Sequence, residues 1–417
     1  MRGFCSLPLP FVMNRIKGFA MNEPVVDKKP TGAGSAMLFI ALSGVVSLFA
    51  DMTYEGARSI TGQFLGTLGA SALAVGFVSG FGELAGYAVR LASGLLTDRT
   101  RRYWTITITG YMINLAAVPI LALTGRWAIA ASLMIAERIG KGIRSPARDA
   151  MLSHAASEVG AGWGFGLHQA MDSTGAMLGP LIVAAVLYMR GGYRTGFAVL
   201  LIPAVMAIGV LICSMLLYPR PDELETGLPE LAPGGLPGLY WIYLAGMALA
   251  AAGYADFPLI GFHFEKTGVV SIQWTPVFYS VAMGMEAITA LSLGRLFDKI
   301  GIRIITLAVL LSSFFAPLVF LGGFALSLAG MALWGMGMGA HKSVMRAAVA
   351  RMAPRNRRGT AYGIFNAGYG LFWFLGSFLM GALYDISIPC LVAFSMAAQF
   401  ASAPFFMTVQ KKSKSMR

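Results

Sequence analysis

The chain has 417 residues, 57% of them hydrophobic and only 12% charged, with a formal net charge of +13. A mean hydropathy of +0.69 excludes a soluble domain of this length, because too few polar residues remain to cover its surface. The pI near 9.8 does not indicate a nucleic-acid binder, since the basic residues lie in short loops flanking apolar runs, where membrane orientation places them.

Residues 1–35 carry Arg15, Lys17, Lys28 and Lys29 but no long apolar core, so they read as a cytoplasmic tail rather than a cleaved signal, with Met21 as an alternative start. A bilayer core about 30 Å thick takes about 20 apolar residues per helix. Twelve such runs follow, at 36–57, 70–96, 104–124, 127–147, 162–188, 195–218, 239–261, 274–294, 304–323, 325–350, 359–384 and 388–409. The expected fold is an all-α integral membrane protein with twelve transmembrane helices. An even count puts both termini on one face. Arg99, Arg101 and Arg102, Lys299 and Arg303, Arg351, Arg355, Arg357 and Arg358, and the tail basics Lys411, Lys412, Lys414 and Arg417 mark that face as cytoplasmic in an inner (plasma) membrane. The opposite loops are expected to hold Arg58, Arg126, Arg190, Arg194 and Lys266, with His263 and Glu265 beyond the seventh span.

The Pro-, Gly- and acid-rich stretch 219–237 reads as a cytoplasmic linker between two six-helix bundles, 36–218 and 238–410, followed by a basic tail, 411–417. The halves repeat each other. "FAD" at 49–51 answers "YAD" at 254–256, and "GLLTDR" at 94–99 answers "GRLFDK" at 294–299. Gly166 and Gly179 are spaced as Gly363 and Gly376 are, each pair with an amide (Gln169, Asn366) three residues after its first member. Such pseudo-symmetry is a common transporter plan, with the substrate site between the repeats.

Charges inside the spans form stripes. A charge at the bilayer centre costs at least ~2.5–3.5 kcal/mol, so a retained one faces protein or a watery cavity. In the first span Asp51, Glu55 and Arg58 share a face; in the fourth, Glu137, Lys141, Arg144 and Arg148 do; in the fifth, His168, Asp172, Gly175 and Gly179. With Glu83 and Arg90 of the second span, Arg138, Asp256, Glu286 and Lys342, these are expected to line one central cavity. Acids fall deep, while Arg90, Lys141, Arg144, Arg148, Lys342 and Arg346 fall toward the cytoplasm. Plainer readings stand beside these. Arg144 and Arg148 lie near enough to the interface to snorkel, Arg90 can neutralise a neighbouring acid, and His168 can be a hydrogen-bonded packing residue. Asp98 with Arg148, and Asp298 with Arg346, read as ion pairs latching the cytoplasmic ends. Asp51, Glu83 and Asp172 are the candidate proton carriers, because burial can bring a carboxyl's titration into the physiological range.

"GRLFDKIGIR", 294–303, resembles the Gly-x-Leu-x-Asp-Arg/Lys-x-Gly-x-Arg loop signature of the major facilitator superfamily, with Gly294, Asp298 and Lys299 in place. "GLLTDRTRRY", 94–103, is its first-half copy: Gly94, Asp98 and Arg99 match, and Arg101 replaces the usual glycine. "ERIGKGIR", 137–144, resembles the fourth-helix motif through Arg138 and Gly142. Gly166, Gly175, Gly179 and Pro180 resemble the antiporter motif of the fifth helix, with Val183 and Ala184 where it closes on two glycines. The resemblance runs from about residue 36 to nearly the end of the chain. It implies the major facilitator fold and the family's proton-coupled efflux branch.

The expected function is secondary transport by alternating access, with proton-coupled efflux of a small organic molecule. A proton-coupled importer of a small organic anion is the alternative favoured by the basic cytoplasmic half, and a non-transporting membrane sensor is a second. An enzyme is not expected, and "GKGIRS" and "GAHKS" lack the spacing of a phosphate-cradling loop. Cys5, Cys213 and Cys390 share no motif spacing, so neither disulfide nor metal site follows. Expected partners are the substrate, protons and the bilayer, with no cofactor and no nucleic acid, for a monomer. A single cysteine placed near Glu223 should resist impermeant thiol reagents in intact cells; labelling from outside would overturn the orientation.

Overall fold

The computed structural model describes residues 33–159, 161–219, 236–300, 303–352 and 358–415; within them the side chains at 33, 98, 157–158, 161–163, 294–295, 297–300, 342–347, 350–351, 358–360 and 413–415 fall outside the description. The expected linker and N-terminal tail therefore lie almost wholly outside it. Among the described residues the chain is helical throughout. In order come α1 (Ala33–Thr67), α2 (Ala72–Thr100), α3 (Tyr103–Ile120, continued by a 3-10 turn Leu121–Leu123), α4 (Trp127–Val159), α5 (Ala161–Tyr188), α6 (Tyr193–Val199 and Leu201–Leu217), α7 (α7a, Gly238–Ala252, and α7b, Phe257–Thr267), α8 (Trp274–Ile300), α9 (Arg303–Ser312 and Phe315–Phe320), α10 (Phe324–Met352), α11 (Arg358–Ile386) and α12 (Ile388–Ser415). Ten of these twelve spans are long and apolar enough to cross a membrane by composition alone. The other two, α4 and α10, are as long, and α4 carries a charged stripe.

The twelve helices form two bundles of six, and helix starts fall close to the expected spans. Ends do not. Helix α1 runs to Thr67 rather than 57, because Arg58, Ser59, Thr61 and Gln63, which read as loop on hydropathy, are buried against the other half. Arg58 is thus inside a helix and not in an outer loop. His263 and Glu265 are likewise in α7b, where His263 is buried and its Nδ1 lies 3.0 Å from the Tyr384 hydroxyl.

Helix α7 breaks at 253–256. Free backbone groups are costly in hydrocarbon, and side chains from other helices satisfy them. Ser395 Oγ and Gln399 Nε2 donate to the Gly253 carbonyl at 2.6 and 3.2 Å, and Trp334 Nε1 donates to that of Ala255 at 2.9 Å. Asp256 restarts the helix as its N-cap, accepting from the Phe257 amide at 2.9 Å.

Small residues set the helix spacing. A Cβ added at Gly175 or Gly179 of α5 would lie 2.2 Å from the Leu48 or Met52 carbonyl oxygen of α1, and one at Gly376 of α11 would lie 2.1 Å from that of Ala252 on α7a. Gly179 and Gly376 are repeat partners in sequence and make the same contact in the two halves. Arg101 has φ 52°, in the left-handed region, and caps α2 through its amide to the Thr97 carbonyl. The motif's usual glycine suits that conformation without strain; arginine adopts it at a cost of about 1–2 kcal/mol. Gly166 by contrast meets nothing within 4 Å. Gly179→Val should therefore sharply lower the yield of folded protein and its Tm, while Gly166→Val should leave both near wild type, as read by size-exclusion chromatography and thermal melting.

Candidate functional site

The polar faces of α1, α2, α4 and α5 converge with α7 and α8 of the second half. Arg58 Nη2 lies 2.5 Å from Asp256 Oδ1 and 3.3 Å from Glu83 Oε1. Arg138 Nε lies 3.5 Å from the same Glu83 oxygen and 3.2 Å from Glu137 Oε2, and Asn114 Nδ2 donates to Glu137 Oε1 at 2.7 Å. Glu55 accepts from the Tyr279 hydroxyl of α8 at 2.5 Å and faces Lys141 Nζ at 3.8 Å. The network is continuous across the two halves.

Its terminal-side end holds the acids Asp51 and Asp172. Tyr54 donates its hydroxyl to Asp51 Oδ1. The Asp51 and Asp172 carboxyls lie within hydrogen-bonding reach of each other, an approach permitted by the glycine contacts of α5 on α1. Two carboxyl groups that close can share one proton more readily than both can ionise. Gln169 Nε2 donates to Asp172 at 3.4 Å, and Lys141 Nζ stands 4.0 Å over the Tyr54 ring.

Of the residues expected to line the cavity, Asp51, Glu55, Glu83, Glu137, Arg138, Lys141, Asp172 and Asp256 come together here, with Arg58. Glu83, flanked by two guanidiniums, is held as an ion-pair partner. His168 instead contacts Ser47 Oγ at 3.0 Å, which also accepts from Arg148 at 3.2 Å. Arg90 is half-buried beside the Tyr87 ring, 5.7 Å away. Glu286 is buried on α8 in the second half. The side chains of Lys342, Asp98, Asp298, Lys299 and Arg346, with Gly294, fall outside the described residues. Arg99 is exposed, and Gly94 packs on Pro146. Two expectations change. The bases are not confined to the cytoplasmic side, since Arg58 and Arg138 sit among the deep acids. Nor does Arg144 snorkel: it is 0% exposed. Tyr54, Asn114 and Tyr279 were not expected; Tyr54, three residues after Asp51, lies on the same stripe and was the one visible in sequence.

The halves are bonded together at the end away from the termini. Besides Arg58–Asp256 and Tyr279–Glu55, the Leu73 amide donates to Asp385 at 3.0 Å and the Tyr193 hydroxyl donates to Glu265. Between the ion pairs a cavity of about 30 Å³, lined by Arg58, Thr61, Ser79, Glu137, Arg138 and Asp256 among others, has room for about two waters.

Two six-helix bundles meeting over a buried ionic network define a membrane transporter rather than an enzyme. The chain belongs to the Major Facilitator Superfamily, whose family model matches residues 31–377 and again 238–413. An uncharacterized protein of Mycobacterium tuberculosis is 40% identical over 383 residues, 90% of this chain and 94% of that one. An uncharacterized MFS-type transporter of Methanocaldococcus jannaschii is 26% identical over 84% of this chain and 89% of its own. The nucleoside transporter NupG superposes with a TM-score of 0.71 over 89% of this chain and 99% of that one; at 12% identity it speaks for the fold alone.

Breaking one partner of a buried ion pair costs about 3–5 kcal/mol. Asp256→Asn should therefore loosen the closed end. A cysteine at Thr61 should react with a small thiol reagent at least about tenfold faster in that background, a change needing only ~1.4 kcal/mol. An unchanged rate would show that the ion pair does not hold the halves.

Proposed function

We propose that the protein is a proton-coupled secondary transporter of a small organic molecule, working by alternating access, with the Asp51–Asp172 pair as the proton site. The closeness of the two carboxyls carries this reading, since like charges that near favour a shared proton, at the junction of α1 and α5 and beside the helices that bridge the halves. Export in exchange for protons is supported by the spacing of Gly166, Gly175, Gly179 and Pro180. Import of a small organic anion is the second reading, favoured by Lys141 and Arg144 beside the acid pair. Both place the termini in the cytoplasm of an inner (plasma) membrane, as the Lys and Arg distribution supports, and make the end closed by Arg58 and Asp256 the external one. Asp98 with Arg148 and Asp298 with Arg346 are the proposed cytoplasmic latches; Arg148 here engages Asp149 at 2.8 Å.

Asp51→Asn removes the titrating group while keeping a polar side chain. In vesicles with matched protein amounts, substrate exchange without a gradient should persist, and pH-gradient-driven accumulation should fall by at least about tenfold. Asp172→Asn should behave similarly, whereas Glu83→Gln should impair folding first, by leaving Arg58 and Arg138 with one carboxylate each. Full gradient-driven transport by Asp51→Asn would remove the pair from the coupling step.

A further inference from the structure

Four cations of the first half have a carboxylate partner: Arg58 at 2.5 Å, Arg138 at 3.2 Å, Lys141 at 3.8 Å and Arg148 at 2.8 Å. Arg144 is different. It is 0% exposed, its Cζ lies 4.2 Å over the Tyr111 ring and 5.7 Å from that of Tyr54, and its Nε and Nη1 have no hydrogen-bond partner among the described residues. Beside it the Tyr111 hydroxyl is also unpartnered. Cation–π contacts contribute about 0.5–2 kcal/mol each, whereas desolvating an ion costs several. The missing element is an acceptor with negative charge, and a planar guanidinium fork matches a carboxylate.

We infer that Arg144 receives the carboxylate of a transported organic monoanion, with Lys141 guiding it in and Tyr54 turning aside to admit it. Lys141 is the accessible member, with 26% of its side chain exposed, and lies over the same Tyr54 ring one turn before Arg144 on α4. Tyr54 is fastened by its hydroxyl to Asp51, so the anion site and the proton site share one side chain. This rests on the transporter reading of the same site and fixes the sign of its coupling. The groups facing the acid pair are Tyr54 and Glu55 from α1, Lys141, Arg144 and Arg148 from α4, and His168 from α5. With Lys141 set against Glu55 and Arg148 against Asp149, an acid pair sharing one proton, as the proposed function has it, carries one negative charge and balances Arg144. A bound monoanion is balanced only when the pair takes a second proton. Proton and anion therefore bind together and move in the same direction without net charge, which selects the import reading. Exchange requires a substrate that competes with the proton for the acids, as a cation does.

The test is thermal melting of the purified full-length protein with pyruvate, benzoate and indole-3-acetate, against choline as a cation and sulfate as an inorganic anion. At least one carboxylate should raise Tm, and more at mildly acidic than at mildly alkaline pH. Arg144→Gln should weaken its apparent affinity at least about tenfold, as expected for losing a charge-assisted fork. Arg144→Lys, which keeps the charge and guards against misfolding of the first variant, should retain part of the response. Sulfate stabilisation equal to that of the carboxylates would overturn the organic-monoanion assignment, as would an unchanged response in Arg144→Gln or no carboxylate response at all. A choline response with gradient-driven choline transport would overturn this inference while leaving the proton-coupled transporter reading standing. Full gradient-driven transport by Asp51→Asn would overturn that reading instead.

Discussion

Arg58 is the residue on which the closed arrangement of the two halves depends. A guanidinium placed inside a bilayer-spanning helix cannot be left without an anion, and its nearest one, Asp256, comes from the other half. Asp256 is free to serve because α7 is interrupted there: as the N-cap of α7b it already faces a helix N-terminus, where a carboxylate is favoured. The interruption in turn depends on Ser395, Gln399 and Trp334 for its backbone hydrogen bonds. One cation thus links a helix break, a cap and the contact between bundles. Glu83 and Arg138 extend the chain of charges to α2 and α4, so a change in one charge is felt by four helices.

A second constraint is steric. Because α5 carries glycine at 175 and 179, its backbone comes close enough to α1 for Asp172 to reach Asp51. The motif that sequence associates with exchange is here a packing device, and the packing brings together the two carboxyls of the proposed proton site. Small-residue packing and function are usually set against each other as explanations; under the proposed function the first is, in α5, the cause of the second.

Most of the fold was legible in the sequence because the bilayer reduces helix recognition to a count of apolar residues. Less of the site was legible. The stripes on α1, α4 and α5 identified which residues face inward, but stripe reading says nothing of which helices touch. The Glu83–Arg58, Glu55–Tyr279 and Asn114–Glu137 pairs needed the packing. Arg144 shows the limit most clearly. Its distance from the helix end allowed a snorkelling side chain, yet Gly110 lets α3 approach so closely that an added Cβ there would lie 2.5 Å from the Arg144 amide nitrogen. The side chain is then shut between Tyr54 and Tyr111. Hydropathy also ended α1 ten residues early, since a polar face buried against another bundle has the composition of a loop.

Duplication has preserved packing and not chemistry. Gly179 on Met52 and Gly376 on Ala252 make the same backbone contact, but where the first half collects charges the second collects rings. Tyr254 packs against Trp334 at 5.8 Å, His341 at 5.2 Å and Trp373 at 5.6 Å, and the His341 Nδ1 lies 3.1 Å from the Tyr369 hydroxyl. Aromatic packing of this kind changes little with protonation of a neighbouring carboxyl, whereas the ionic network is sensitive to a single proton. A ligand shifts a conformational equilibrium only by its differential interaction with the two states. Under the proposed function the differential free energy arises on α1, α4 and α5, and among the described residues the second half enters the network through Asp256 and Tyr279. Under that proposal, an asymmetric pair of bundles built on a symmetric scaffold works as one half that senses charge and one that is moved by it.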